Sequence, residues 1–591
     1  MKQKLVLMLT LTLLIGILSV AFDVQEANAS GTIYIRADGS IDPPTALITT
    51  VDSVTYTFID NINGSIVVER DNIVIDGAGY MLQGPGNIGT GILIYKINNV
   101  TIKDMRIKGF EYGVDLVVSS NNTISGNNIT KNVIGIYLEP SQDNIISGND
   151  IIGNGYTGIK LIESTGNTIS DNKITSNDIG IRLNDSPKNI FCKNSMATNR
   201  YNFGVYASFP ENYFNSIDTS NTVDGKPIFY WVNERDMTIP FDAGYVALVN
   251  CTRITVKNLN ITSNMQGILL VLTKNSTVTD NRMTNNIVGI FLDYSFYNTI
   301  SRNNSTENLE RGIWLIDSYQ NDVRENINAR NEIGIQLHFS SNNRISANNV
   351  TMNNYSGIDL VESSHNIISG NYIALNNLYG LSMFESDNNR IFHNNFREKN
   401  RYCSHAATYS SHGNLWDDGY PSGGNYWSDY TGDDLDYDGI GDSWHEIDAD
   451  NIDNYPLMGM FSDFNATSEH HVQTICNSTI TDFQFNGTAI GFHISGENDT
   501  TGFCRICIPT ALMNTTYKVF VNGTEVSHNL LPCSNETYSY LYFNYTHSTQ
   551  GVIIIPEFSS FLILPLFMTL TLLTVIICKR RHTRRSCSTS F

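Results

Sequence analysis

Positive charge is what this chain has little of. Over 591 residues it carries 37 Lys+Arg against 58 Asp+Glu, a formal net charge of −21. A nucleic-acid binder presents a basic face to phosphates, so that class of partner is excluded. Charge of either sign is sparse, at 16% of residues, while 41% are hydrophobic. A chain disordered by its acidity needs low hydrophobicity together with high net charge, so this one is expected to fold. Strong helix formers are also comparatively few. Asn, Thr, Ser, Ile and Gly (44 residues) abound instead, a mixture suited to turns and β-structure. A chain of this length is several domains or one long repeat array.

A repeat is present. Gly, an aliphatic residue, a variable residue and usually Leu recur with glycines at Gly91, Gly113, Gly135, Gly158, Gly180 and Gly204. After a gap they resume at Gly267, Gly289, Gly312, Gly334, Gly357 and Gly380. Spacings are 22, 22, 23, 22 and 24 in the first block, then 22, 23, 22, 23 and 23 in the second. Upstream of most glycines stands N-x-I-x-x-N-x-I-x-x-N, as in Asn122-Thr123-Ile124 before Asn128-Ile129. Alternating apolar and polar residues indicate short half-buried strands. Three of them with Asn and Gly turns fill one period. One coil cannot bury its own apolar face, whereas stacked coils bury columns of Ile and Val in a continuous core. Asn tolerates left-handed backbone at a corner, and its amide can ladder to the next coil. A leucine-rich repeat has a similar period but needs L-x-x-L-x-L and a helical segment, and both are missing. The expected fold is all-β: a right-handed parallel β-helix over residues 30–461, then a small β-sandwich over 462–555. Between Gly204 and Gly267 an insertion near 211–250 is expected, with three degenerate coils as the alternative.

The two ends carry targeting patterns. Residues 1–29 hold Lys2 and Lys4, an apolar run and Ala27-Asn28-Ala29, which read as a secretory signal peptide or else an uncleaved anchor. Residues 558–578 are apolar enough to span a bilayer as a transmembrane helix. The tail at 579–591 opens with Lys579-Arg580-Arg581 and is placed in the cytoplasm by the positive-inside rule, with everything before the span outside. The segment from Pro556-Glu557-Phe558 to Lys579-Arg580-Arg581 resembles the PEF-type sorting signals of archaeal surface proteins. That resemblance implies processing by an archaeosortase-type transpeptidase, with a lipid as the alternative final anchor. Sequons such as Asn63, Asn128, Asn260 and Asn349 fit an extracellular glycoprotein on the cell surface.

The sharpest local motif is Asp434-x-Asp436-x-Asp438-Gly439-x-x-Asp442, inside a cap expected near 417–456. Carboxylates at alternate positions converge on a hard cation, and Ile440 would offer its carbonyl, so Ca²⁺ is the expected ion. The pattern departs from calcium loops at the twelfth position, where His445 stands. A second candidate lies on the strand faces. In Gly-Ile-x-Leu the x residue points outward. Those residues are Tyr137, Lys160, Arg182 and Tyr206, then Phe291, Trp314, Gln336 and Asp359, with Asp293, Asp317, Glu362 and Glu385 just past the Leu. Aromatic faces beside acids and amides suit sugar rings. The ligand-binding candidates are Tyr137, Phe291, Asp293, Trp314, Asp317, Asp359 and Glu362. No catalytic residue is assigned: neighbouring coils supply carboxylate pairs by accident, and the G-H-G of β-helix polygalacturonases is absent. Cys504-x-x-Cys507 sits in an expected strand, where residues three apart face opposite sides, so packing is the reading there.

Two phrases are more specific than the repeat. Asn72-Ile73-Val74-Ile75-Asp76-Gly77-Ala78-Gly79 opens the array and Gly424-Asn425-Tyr426-Trp427-Ser428-Asp429-Tyr430 closes it. In both, residues 31–461 resemble the NosD-like, carbohydrate-associated β-helix proteins, or CASH domains. The resemblance implies binding of a polysaccharide or glycoprotein of the cell envelope, with action on polysaccharide as a lyase or hydrolase as the rival. It also implies copper as an alternative cofactor, through the association of NosD-like proteins with nitrous oxide reductase maturation. Copper would want clustered His, Met or Cys, and here His338, His365, His393, His405 and His412 are scattered.

Overall fold

The structure, a computed structural model, describes residues 31–397, 404–513 and 516–557. The signal peptide, the transmembrane span and the basic tail lie outside the described residues. Among the described residues no helix is long and apolar enough to cross a membrane. The fold is a parallel β-solenoid of about 16 turns, with almost no helix among the described residues. Two compact units divide the chain. The first holds residues 31–367, 374–387 and 404–411, and the second holds 368–373, 388–397 and 412–557 within the described residues.

In the first unit each full coil is three strands, for example Tyr112–Val117, Thr123–Ser125 and Asn128–Thr130. Each pairs in parallel with its equivalent one coil on, as Ile124 with Ile146 and Ile129 with Ile151. Ile124, Ile129, Ile136, Leu138, Ile146 and Ile151 are all fully buried, so the apolar columns fuse into one core. The repeat glycines are set by close approach. A Cβ on Gly113, Gly135 or Gly158 would stand 2.6, 2.6 and 2.7 Å from the carbonyl oxygen of the next coil's glycine. A side chain there would force the coils apart.

The Asn ladder divides its labour between neighbours. Left-handed backbone falls on the residue before the ladder Asn, at Asn121 (φ 58), Lys131 (φ 53) and Asp143 (φ 55). The ladder Asn is buried and bonds three ways. Asn149 donates from its backbone N and its Nδ2 to Asn172 Oδ1, each at 3.0 Å, and its Nδ2 also reaches Ile124 O at 2.9 Å. Ser119, Ser141, Ser164 and Ser186 form a parallel ladder, each backbone N donating to the next coil's Oγ. Both ladders satisfy buried corner groups that the strand pairs leave unpaired.

The solenoid is two stacks in series. Residues 211–250, expected as an insertion, contain Ser216–Ile217 and Thr222–Val223, which continue two sheets of the first stack. The chain then reverses. Lys226–Val232 pairs antiparallel with Thr222–Val223 and parallel with Tyr245–Val249, and the second stack grows from there. Gly204 does not belong to the glycine column. Arg182 pairs with Gly204 and Ile181 with Phe203, which puts Asn202 opposite Gly180 in the glycine column, while Asn199 continues the Asn ladder. The spacing of 24 before Gly204, against 22 or 23 elsewhere in that block, is the trace of this shift in the sequence.

In the second unit, residues 412–457 close the coil and residues 460–556 form two antiparallel five-stranded sheets. Their facing sides share a core of Val472, Ile490, Phe492, Ile506, Val519, Leu541 and Ile554. The closing phrase is structural. Trp427 stacks on Phe396 at 4.3 Å, and its Nε1 donates to Asp453 Oδ2 at 2.9 Å. Asp453 is fully buried and also accepts from the backbone of Asn425 and Tyr455; burial nevertheless pushes its carboxyl up to about 7.

Candidate functional site

The variable residue of each long strand does point away from the core, and the register aligns it coil by coil. In the first stack Asp115 pairs with Tyr137, Tyr137 with Lys160 and Lys160 with Arg182. In the second, Tyr230, Ala247, Leu269, Phe291, Trp314, Gln336, Asp359 and Ser382 form one column. Successive rungs are about 4.8 Å apart.

The start of the second column is an interface rather than a free face. Tyr245, Ala247, Val249, Leu269 and Val271 share a core with Phe203 of the first stack, and Phe203 meets Tyr245 edge to face at 5.1 Å. Met265 N donates to Phe203 O, and Gln266 Nε2 donates to Val205 O at 3.1 Å. A Cβ on Gly204 would lie 2.3 Å from Met265 Cβ, which is why that strand carries glycine there. The outer face of the second stack thus closes the open end of the first, and the two outward columns meet at this junction.

The junction decides where the expected site residues fall. Phe291 is 2% exposed, tilted against Tyr206 at 6.1 Å and stacked on Trp314 at 4.7 Å. Asp293 is 4% exposed; burial first, then the nearby Asp317 carboxylate, pushes it up to about 7. These two support the junction and have no surface for a ligand. Trp314 is half-buried, with Phe291 on one face and the Arg311 guanidinium 4.2 Å from its ring centroid on the other. Asp359 accepts from Gln336 Nε2 at 2.7 Å, and Gln336 accepts from Arg311 Nε. Glu310, Arg311, Gln336 and Asp359 are therefore one chain of polar contacts across three coils. Asp317 and Glu362 sit on the corners past the strands, in left-handed backbone, with Glu362 exposed.

On the first stack Tyr137 is stacked on Tyr112 at 5.1 Å, donates to Glu139 Oε2 at 2.8 Å and carries Lys160 Nζ 5.3 Å from its ring centroid. Lys160 is held below the ordinary lysine range by burial and then by Arg182. Two residues beyond the expected set belong here. Asp115, below Tyr137, is 8% exposed, and its Oδ1 has no partner. Burial, then Glu139 and Glu111, pushes its carboxyl up to about 7. Arg311 is the other; it stands two residues before the repeat aliphatic, outside the variable position that the sequence pattern marks. Tyr112, Tyr156, Tyr355, Tyr379 and Tyr409 flank the columns with partly exposed side chains.

The proposed metal loop is tighter than its motif. Carboxylate oxygens of Asp434, Asp436 and Asp438 lie within 4.8 Å of one another. Asp434 accepts from the backbone N of Asp438 and Gly439, both at 2.9 Å. Asp442 turns aside to accept from Leu435 N, and Ile440 packs in the apolar cluster with Leu457, Phe461 and Ile475. Arg505 Nη1 stands 3.9 Å from Asp438 Oδ2, a fixed cation beside the three acids. Burial, then the other two acids, raises Asp434.

Residues 30–228 and 221–432 match the family model described as periplasmic copper-binding protein (NosD). The chain belongs to the NosD family. No curated protein matches it. Among solved structures it is similar to a mutant tailspike protein of E. coli bacteriophage HK620 in complex with pentasaccharide, at 10% identity and a TM-score of 0.29, covering 84% of this chain and 87% of that one. It is also similar to the A-module of a mannuronan C-5 epimerase from Azotobacter vinelandii, at 10% identity and a TM-score of 0.24, covering 60% and 89%. The likeness in both cases is one of fold alone. Among the described residues, the acidic donors brought together do not suit the copper of the NosD description. Among the described residues, the group of three or more close His, Cys, Asp or Glu side chains is Asp434, Asp436 and Asp438, all hard carboxylate oxygen. Copper is favoured by imidazole, thiolate and thioether.

Proposed function

We propose that this NosD-family chain is a cell-surface β-helix protein, held at the membrane by its C-terminal segment, that binds extended glycans or glycoproteins of the envelope along its outward columns. The observation that carries the reading is the pair of in-register columns, in which the partly exposed Lys160 and Arg182 on one stack and Trp314 on the other are backed by the buried Asp115 and Tyr137 and by the buried Gln336 and Asp359. A linear polymer presents hydroxyls at a regular repeat, and a ladder of donors and acceptors about 4.8 Å apart can meet them. Tyrosine rims add rings for C–H faces. The ladder residues are pre-positioned by neighbours, which lowers the ordering cost of binding. Lys160→Ala and Arg311→Ala should each weaken binding to a glycan panel by about tenfold, the worth of one charge-assisted hydrogen bond. Unchanged binding in both variants would place the ligand elsewhere. Cleavage of a panel member, lost on Asp317→Asn, would replace binding with catalysis as the main activity.

Calcium at Asp434, Asp436 and Asp438 is the second element of the proposal, supported by three convergent carboxylates in a loop with Gly439 at φ 84. Melting of the protein with and without chelator tests it. A fall of several degrees in chelator is expected, and an identical transition would leave Arg505 as the counter-charge.

A further inference from the structure

The sandwich in the second unit holds a pair of cysteines that the sequence does not mark as partners. Cys476 ends the strand His471–Cys476 and Cys504 lies in Thr501–Pro509; the two stand directly opposite in the antiparallel ladder. Opposed residues have Cα atoms about 4.5 or 5.5 Å apart, depending on the hydrogen-bonding phase, and both values fall in the range that a disulfide spans. Both side chains belong to one apolar core, at 1% and 0% exposure, so both Cβ atoms leave the sheet on the same face. Cys507, three residues along, pairs with Gln473 and Tyr540 and is not a member of that core, which rules it out as the partner of Cys504.

From this geometry we infer that Cys476 and Cys504 form a cross-strand disulfide in the mature protein. The bond joins Sγ to Sγ with loss of two protons and two electrons. The acceptor is an external disulfide of the extracytoplasmic space, which is itself reduced to two thiols by thiol–disulfide exchange. A compartment outside the cytoplasm, as the NosD description implies, sustains such bonds. The surroundings fix one end of the pair. Cys476 Sγ meets Tyr545 Oη at 3.3 Å, Tyr545 Oη meets Ser478 Oγ at 2.7 Å, and Ser478 Oγ meets His547 Nε2 at 2.7 Å. Since both sulfurs are sealed from solvent, the bridge closes before or as the sandwich packs, and it is shielded from reductants afterwards.

The test is peptide mapping of the full chain, purified from an oxidising compartment and alkylated under denaturing conditions without reductant. A cross-linked peptide pair containing Cys476 and Cys504, lost on reduction, is the expected result. Alkylation of both thiols, or a Cys504–Cys507 bridge, overturns the inference. Cys476→Ser should leave Cys504 newly alkylatable in the denatured chain and lower the melting transition. If that variant fails to fold, mapping of the wild-type chain still decides.

Discussion

At the scale of single residues, the demands of the fold are most visible at glycine. Gly135 is glycine because the Gly158 carbonyl would stand 2.6 Å from any Cβ, with Ile151 Cγ2 at 3.0 Å. Its backbone is not left-handed, so the constraint is space alone. Gly135→Ala should cost about 1–3 kcal/mol, the range for overpacking a tight core. Gly155→Ala is the control: the nearest atom to a Cβ there lies at 3.8 Å, so urea unfolding should separate the two variants clearly. Buried carboxyls give a second prediction at this scale. Asp115 and Asp293, each pushed up to about 7 chiefly by burial, hold a proton that the unfolded chain has already released near pH 4. Their contribution is fully present below about pH 4 and is lost as pH rises through about 7. Melting temperature should therefore fall between pH 5 and pH 8, and Asp115→Asn should flatten that slope.

At the scale of the element, the coil is legible in the sequence and the junction is not. Period, inward Ile columns, outward variable residues and the Asn ladder all follow from spacing, because every coil repeats the same local demand. The junction occurs once and has no period to betray it. Tyr245, Ala247 and Val249 fall in the stretch expected as an insertion, yet they and Leu269 are buried against Phe203 of the other stack. The same cause hid the fate of Phe291 and Asp293, which local pattern places outward and long-range packing covers. Tyr245→Ala would open a cavity between the stacks, and a loss of about 3–5 kcal/mol is expected by analogy with buried Phe→Ala changes. Denaturant unfolding monitored by tyrosine fluorescence would report it. Lys160 lies two coils from that contact and packs on Tyr137 instead, so its substitution should leave the midpoint close to that of the wild type while weakening binding.

At the scale of the whole molecule, a stacked array is close to one-dimensional: each coil contacts its neighbours, and stability is approximately a sum of coil and interface terms. Two stacks joined through a side-on contact add one term of a different kind. A lesion inside the first stack, such as Gly135→Ala, should loosen amide protection in the coils near residue 135 first. The second stack keeps its own ladder, from Asn281 through Asn303 to Asn326, and needs nothing from that coil. Tyr245→Ala should act differently, because Phe203 and Met265 seal the last coil of the first stack only while the second stack stands against it. Exchange should then rise at both sides of the junction, around residues 201–206 and 245–271. Hydrogen exchange on the two variants distinguishes the cases: protection lost evenly along both stacks in Gly135→Ala would mean one cooperative unit rather than two in series.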